Sequence, residues 1–143
     1  ARLAPEPLEA QFDGAYLQRL TRRRRVAIKT LLLNGRLITG VGNIYASEAL
    51  FRAGIRPRRA ARSLKIAECT RLAGAIRRVL TAAIRAGGTT LRDYVNAEGM
   101  PGDFGVKLYV YERAAAPCRR CRTPVRHIVQ GQRSTYYCPE CQQ

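Results

Sequence analysis

Two Cys-x2-Cys pairs, Cys118/Cys121 and Cys138/Cys141, stand sixteen residues apart and constrain the end of this chain more than any other feature. Two residues between thiolates let a tight knuckle offer both sulfurs to one ion, and two knuckles complete a tetrahedral set. A segment this short buries little core, so its folding free energy must come from the metal, about 10–16 kcal/mol apparent in zinc-finger peptides. The spacing predicts one structural zinc ion held by Cys118, Cys121, Cys138 and Cys141, with no open position for an activated water. Between the knuckles, residues 125–129 and 133–137 are expected to form antiparallel strands joined at Gly131. His127 is expected on the hairpin surface rather than as a ligand. Arg126 and Arg133 are its anion contacts, beside Tyr136 and Tyr137. The fifth cysteine, Cys69, falls on an apolar helical face and reads as a small buried hydrophobe.

Charge narrows the partner. The 143 residues carry 26 basic and 10 acidic side chains, a net charge of +16. Arg19, Arg22, Arg23, Arg24, Arg25, Lys29 and Arg36 lie between Gly14 and Ser47 with no acid among them. A second one-signed stretch runs from Arg113 to Pro139. Two such stretches make a concentrated positive field, whose usual partner is a polyanion. No apolar run approaches the roughly 20 residues needed to cross a bilayer, and no signal-peptide pattern opens the sequence. An anionic membrane surface lacks its usual reader, a basic amphipathic helix with exposed Trp or Phe. The apolar share, 46%, is too high for a disordered tail.

Upstream of the cysteines the apolar pattern is helical. Residues 1–7 read as a linker, with Pro7 suited to a first helical turn. Leu8, Phe12, Tyr16, Leu17 and Leu20 follow helical spacing. A second helix is expected around Val26, Ala27, Leu31 and Leu32, stopping at Asn34-Gly35. Asn43 is expected to N-cap a third helix, Ile44 to Ala53, closed by Gly54. The longest helix should run from Leu64 to Ala86, capped by Ser63. Residues 89–105 are dense in Gly and Pro and read as a short helix and a mobile loop, followed by a strand or extended connector over Lys107–Tyr111. The expected fold is mainly α, four to five helices, with a C-terminal antiparallel β-hairpin zinc finger. The turn Gly40-Val41-Gly42-Asn43 opens a helix, where free N–H groups and the helix dipole suit a phosphate. An ordinary N-cap explains the same residues.

Three segments together resemble the formamidopyrimidine-DNA glycosylases. Gly40-Val41-Gly42-Asn43-Ile44-Tyr45-Ala46-Ser47-Glu48 resembles their helix–two-turn–helix (H2TH) signature. Gly87-Gly88-Thr89-Thr90-Leu91-Arg92-Asp93-Tyr94 resembles the stretch entering their lesion-capping loop. Gly131-Gln132-Arg133-Ser134-Thr135-Tyr136-Tyr137-Cys138-Pro139-Glu140-Cys141-Gln142 resembles their terminal zinc finger. The resemblance implies a linker from an N-terminal catalytic domain over 1–7 and an H2TH DNA-binding domain over 8–105. Its lesion-capping loop would lie near 94–105, and the zinc-finger hairpin over 106–143.

The resemblance also implies base-excision repair by a bifunctional glycosylase and abasic-site lyase. Oxidised purines (8-oxoguanine, formamidopyrimidines) are extruded from the duplex, because the glycosidic bond cannot be reached inside the stack. By the same resemblance Asn43 and Arg133 clamp phosphates around the flipped nucleotide, and Arg133 is the proton donor of δ-elimination. Gly42 in the turn, and Arg24, Arg25 and Lys29 in the basic stretch, are the further DNA-contacting candidates. Arg24 stands where the family usually has lysine, and Glu112 where it usually has glycine. The family's nucleophile is an N-terminal proline followed by a glutamate. No Pro-Glu-Leu-Pro-Glu opening occurs here, and Pro5 and Pro7 are internal. Amine catalysis needs the free amine, so these 143 residues alone are expected to bind DNA and not to cleave it. The expected partner is duplex DNA carrying an oxidised base or abasic site, bound by a monomer in the bacterial cytoplasm, at the nucleoid. The competing reading is a non-catalytic zinc-ribbon module for RNA, or for undamaged DNA.

Overall fold

A computed structural model describes residues 7–87 and 107–143. Four α-helices precede a two-stranded antiparallel hairpin: α1 (Gly14–Thr21), α2 (Ile28–Leu32), α3 (Asn43–Ala53), α4 (Ile66–Gly87), β1 (Arg126–Gln130) and β2 (Arg133–Tyr137).

Helix α1 starts at Gly14 rather than near Leu8. Asp13 is its N-cap, its Oδ1 accepting from Tyr16 N at 2.8 Å. A Cβ on Gly14 would stand 2.3 Å from Thr70 Oγ1, so the close approach of α1 to α4 requires glycine there. Phe12 is wholly buried in the preceding turn, whose Glu9 and Phe12 carbonyls accept from the Arg77 guanidinium of α4. Its apolar spacing thus belongs to a turn packed on the core.

Helix α2 is shorter than expected. Val26 and Ala27 lie before it in extended chain, with Ala27 bridged to Ala60, and the helix ends at Leu32 with Leu33 as C-cap. Helix α3 has Gly42, not Asn43, as N-cap. The Asn43 side chain is drawn across to the hairpin instead. Its end is as expected, with Gly54 in the left-handed conformation (φ 75°). Ser63 does not cap α4. It closes a 3-10 turn, Ala61–Ser63, and α4 begins at Ile66. Lys65 N donates to Glu68 Oε1 at 2.9 Å, the backward half of a capping box. Glu68 also accepts two bonds from Arg59, at 2.5 and 2.7 Å, and the Arg59 guanidinium holds its carboxyl down at about 2.

The main core joins Leu17 of α1, Ile28 and Leu31 of α2, Tyr45 and Leu50 of α3, and Leu72, Ile76 and Val79 of α4. Cys69 is buried in it, its Sγ 3.7 Å from Thr21 Oγ1. A second cluster, Phe51, Val110, Cys118, Val125 and Cys138, seats the finger on the other side of α3. Lys107–Tyr111 is a connector, and β1 and β2 are the strands among the described residues. Their register pairs Arg126 with Tyr137 and Gln130 with Arg133. The expected capping loop falls outside the described residues. Among these, no helix is long and apolar enough to cross a membrane.

Candidate nucleic-acid interface and metal centre

The start of α3 and the hairpin meet. Gly40 takes a left-handed conformation (φ 88°), bends the chain into the helix, and leaves Asn43 as its first residue. Asn43 Nδ2 donates to Ser134 O at 2.9 Å. Ser134 follows Arg133 at the head of β2, so Asn43 and the exposed Arg133 belong to one neighbourhood. The two-residue turn before it puts Gly131 (φ 57°) and Gln132 (φ 67°) both in the left-handed region, the geometry that matches strand twist. Tyr111 approaches the same point. Burial pushes its hydroxyl up, and the nearby Asn43 side chain pulls it back. Tyr136 links Tyr111, edge-on at 5.2 Å, to His127, stacked at 4.7 Å. His127 is exposed, as expected, with Nε2 3.0 Å from Ser134 Oγ.

Lys29, expected among the DNA contacts, reaches toward the hairpin. It is 1% exposed, and its Nζ donates to Thr135 Oγ1 at 2.5 Å and Ser134 O at 3.3 Å. Burial, and then the charge of Arg133, lower its pKa to about 8. The ammonium lies beneath the hairpin and joins it to α2. Gly42 is half-buried beside Asn43. Arg24 and Arg25 are exposed in the link between α1 and α2, where Arg24 Nε donates to Leu20 O at 2.8 Å.

The four knuckle sulfurs lie within 4.8 Å of one another. Cys118 and Cys141 are 3.8 Å apart, and Cys121 and Cys138 3.5 Å. Four bonds of about 2.3 Å to a tetrahedral zinc require sulfurs about 3.8 Å apart. Arg120 N and Cys141 N each point at a knuckle sulfur at 3.4 Å, which favours thiolates. The donor set therefore fits zinc.

Three residues that sequence reasoning passed over fix the finger to α3. Glu48 is wholly buried and accepts from Tyr109 N at 2.7 Å, Val110 N at 2.9 Å and Tyr111 N at 2.9 Å. Burial pushes its carboxyl up from the ordinary range, while these amides and Arg52 pull it down. Arg56 donates to Gln142 O and Pro139 O, and Gln142 Nε2 to Ile55 O. One signal for Glu48 was present: it is the only acid between Gly14 and Ala67.

Residues 3–95 match the family described as "Formamidopyrimidine-DNA glycosylase H2TH domain". The chain belongs to this family. Residues 116–143 match "Zinc finger found in FPG and IleRS", which joins an H2TH domain to a zinc finger in the order that the structure shows. Formamidopyrimidine-DNA glycosylases from Thioalkalivibrio sulfidiphilus and Bordetella pertussis are 60% and 59% identical over 99% of this chain. The chain spans 52% of the length of each. Among solved structures, the MutM (Fpg) protein of Thermus thermophilus matches with TM-score 0.84 and 45% identity, over 99% of this chain and 54% of its own. Lactococcus lactis Fpg in complex with abasic-site DNA matches with TM-score 0.84 and 33% identity, over 99% and 52%.

Proposed function

We propose that this chain is the DNA-gripping half of a bacterial base-excision-repair glycosylase and lyase for oxidised purines. The single observation that carries the reading is the Asn43 Nδ2–Ser134 O bond, which sets a helix start against the strand residue next to Arg133. Asn43 and Arg133 grip the phosphates flanking an extruded nucleotide, Gly42 lets the backbone approach, and Arg24 and Arg25 add charge. Lys29 holds the hairpin in position from beneath. Arg133 also supplies the proton of δ-elimination when a catalytic domain is present. One structural zinc ion, bound by Cys118, Cys121, Cys138 and Cys141, keeps Arg133 in place. The protein acts as a monomer in the cytoplasm, at the nucleoid. Support comes from the relatives' names, from the DNA in the matched Lactococcus complex, and from the charge of +16.

The test is competition, at matched salt, among duplex DNA with an abasic-site analogue, intact duplex and structured RNA. The 143 residues should prefer the abasic duplex, with log K falling against log salt at a slope of roughly −4 to −5 for about five phosphates. Arg133→Ala should weaken binding without lowering the melting temperature. Borohydride should trap no covalent adduct, because these residues hold no N-terminal proline amine. Equal affinity for intact duplex, or preference for RNA, would overturn the reading.

A further inference from the structure

A second cationic surface lies beside the grip. The link between α1 and α2, a turn at 22–23 and then open chain, runs against the segment between α3 and α4. Arg62 N donates to Arg24 O at 2.9 Å, Ala61 N to Val26 O at 2.8 Å, and Ile28 N to Arg59 O at 2.7 Å. Six arginines are thereby gathered, Arg22–Arg25 on one segment and Arg58 and Arg62 on the other, and all six are exposed. Arg59, between the latter two, is the exception. It is engaged by Glu68, the ion pair found among the described residues. The only acid from Gly14 to Ala67, Glu48, is buried beneath the 109–111 amides. Like charges set side by side across paired segments repel, and nothing in the packing of the core asks for them.

The strip is continuous with the grip. Pro57 O accepts both Lys29 N and Gln130 Nε2, each at 3.2 Å, so residue 58 leaves from the edge of the hairpin. Residues 58–62 span at most about 17 Å of extended chain, the rise of about five base pairs.

We infer that Arg22, Arg23, Arg58 and Arg62 form, with Arg24 and Arg25, an arginine strip that binds the backbone of the duplex on one side of the lesion. This rests on the DNA-binding reading above, and extends it from the lesion to its flank. The partner is duplex DNA rather than a flexible acidic chain. The strip is built on hydrogen-bonded backbone, abuts the grip, and meets a polyanion that already enters there.

The experiment uses the 143-residue chain and three abasic-analogue duplexes. One carries more than a helical turn, about 12 base pairs, on each side of the lesion. The other two have one arm or the other cut to about 3 base pairs, short of the strip's reach. For the unsubstituted protein, shortening one particular arm should cost roughly tenfold or more in affinity. The R23Q/R58Q/R62Q protein should show the same loss on the symmetric duplex, stay within about twofold of the unsubstituted protein on the duplex lacking that arm, and show a salt slope reduced by about two to three. R23K/R58K/R62K should restore the affinity, since Lys keeps the charge. Equal loss on all three duplexes, or loss on none, would overturn the strip. A protein indifferent to the abasic site itself would instead overturn the function proposed above.

Discussion

Glu48 shows what a single side chain does in this molecule. Its carboxylate leaves the apolar face of α3 and receives three consecutive amides from the connector entering the finger. Among the described residues these amides meet no acceptor besides Glu48, so truncation would orphan all three. Glu48→Ala should cost roughly 3 kcal/mol or more, a fall in melting temperature of about 6–12 °C for a chain of this size. Glu48→Gln keeps an acceptor and should lose about half as much. Thermal unfolding by circular dichroism checks both, and an Ala variant as stable as the parent would contradict the clamp. Glu48 was marked in the sequence by its isolation and as the last residue of the H2TH-like segment, but neither mark showed its role. Its partners lie at 109–111, across a sequence separation that no periodicity spans. Lys29 is the mirror case. A lysine in a basic stretch reads as surface, and only the docked hairpin makes it a buried link.

At the scale of elements, local signals were legible and long-range ones were not. Gly54 closed α3 where its left-handed conformation required, and the knuckle spacing predicted the hairpin. The beginnings of helices moved for two reasons. At α3 a tertiary bond won, Asn43 turning to Ser134 and leaving Gly42 as cap. At α1 and α4 other local caps won, Asp13 receiving Tyr16 N and Glu68 receiving Lys65 N. The zinc finger is the element whose stability is least its own. Mass spectrometry should find one zinc per chain. Its chelation, or Cys138→Ala, should abolish the amide protection of residues 126–137 in hydrogen exchange. Helical circular dichroism from α1–α4 should persist, since their core is separate from the finger's cluster. A hairpin still protected without metal would show that packing on α3 suffices.

For the whole molecule, the finding that matters is that one helix serves two bodies. Helix α3 gives its inner face to the H2TH core, its outer face to the finger, and its first residue to the hairpin's head. That arrangement makes the positions of Asn43 and Arg133 depend on one another, although ninety residues of chain separate them. The most direct measurement of this account is a double-substitution cycle with Asn43→Ala and Arg133→Ala, read as affinity for an abasic-site duplex. If both hold one sugar-phosphate chain, the second substitution should cost much less than the first, with a coupling of about 1 kcal/mol or more. If instead the two losses add to within about 0.5 kcal/mol, the residues act independently and no joint grip exists.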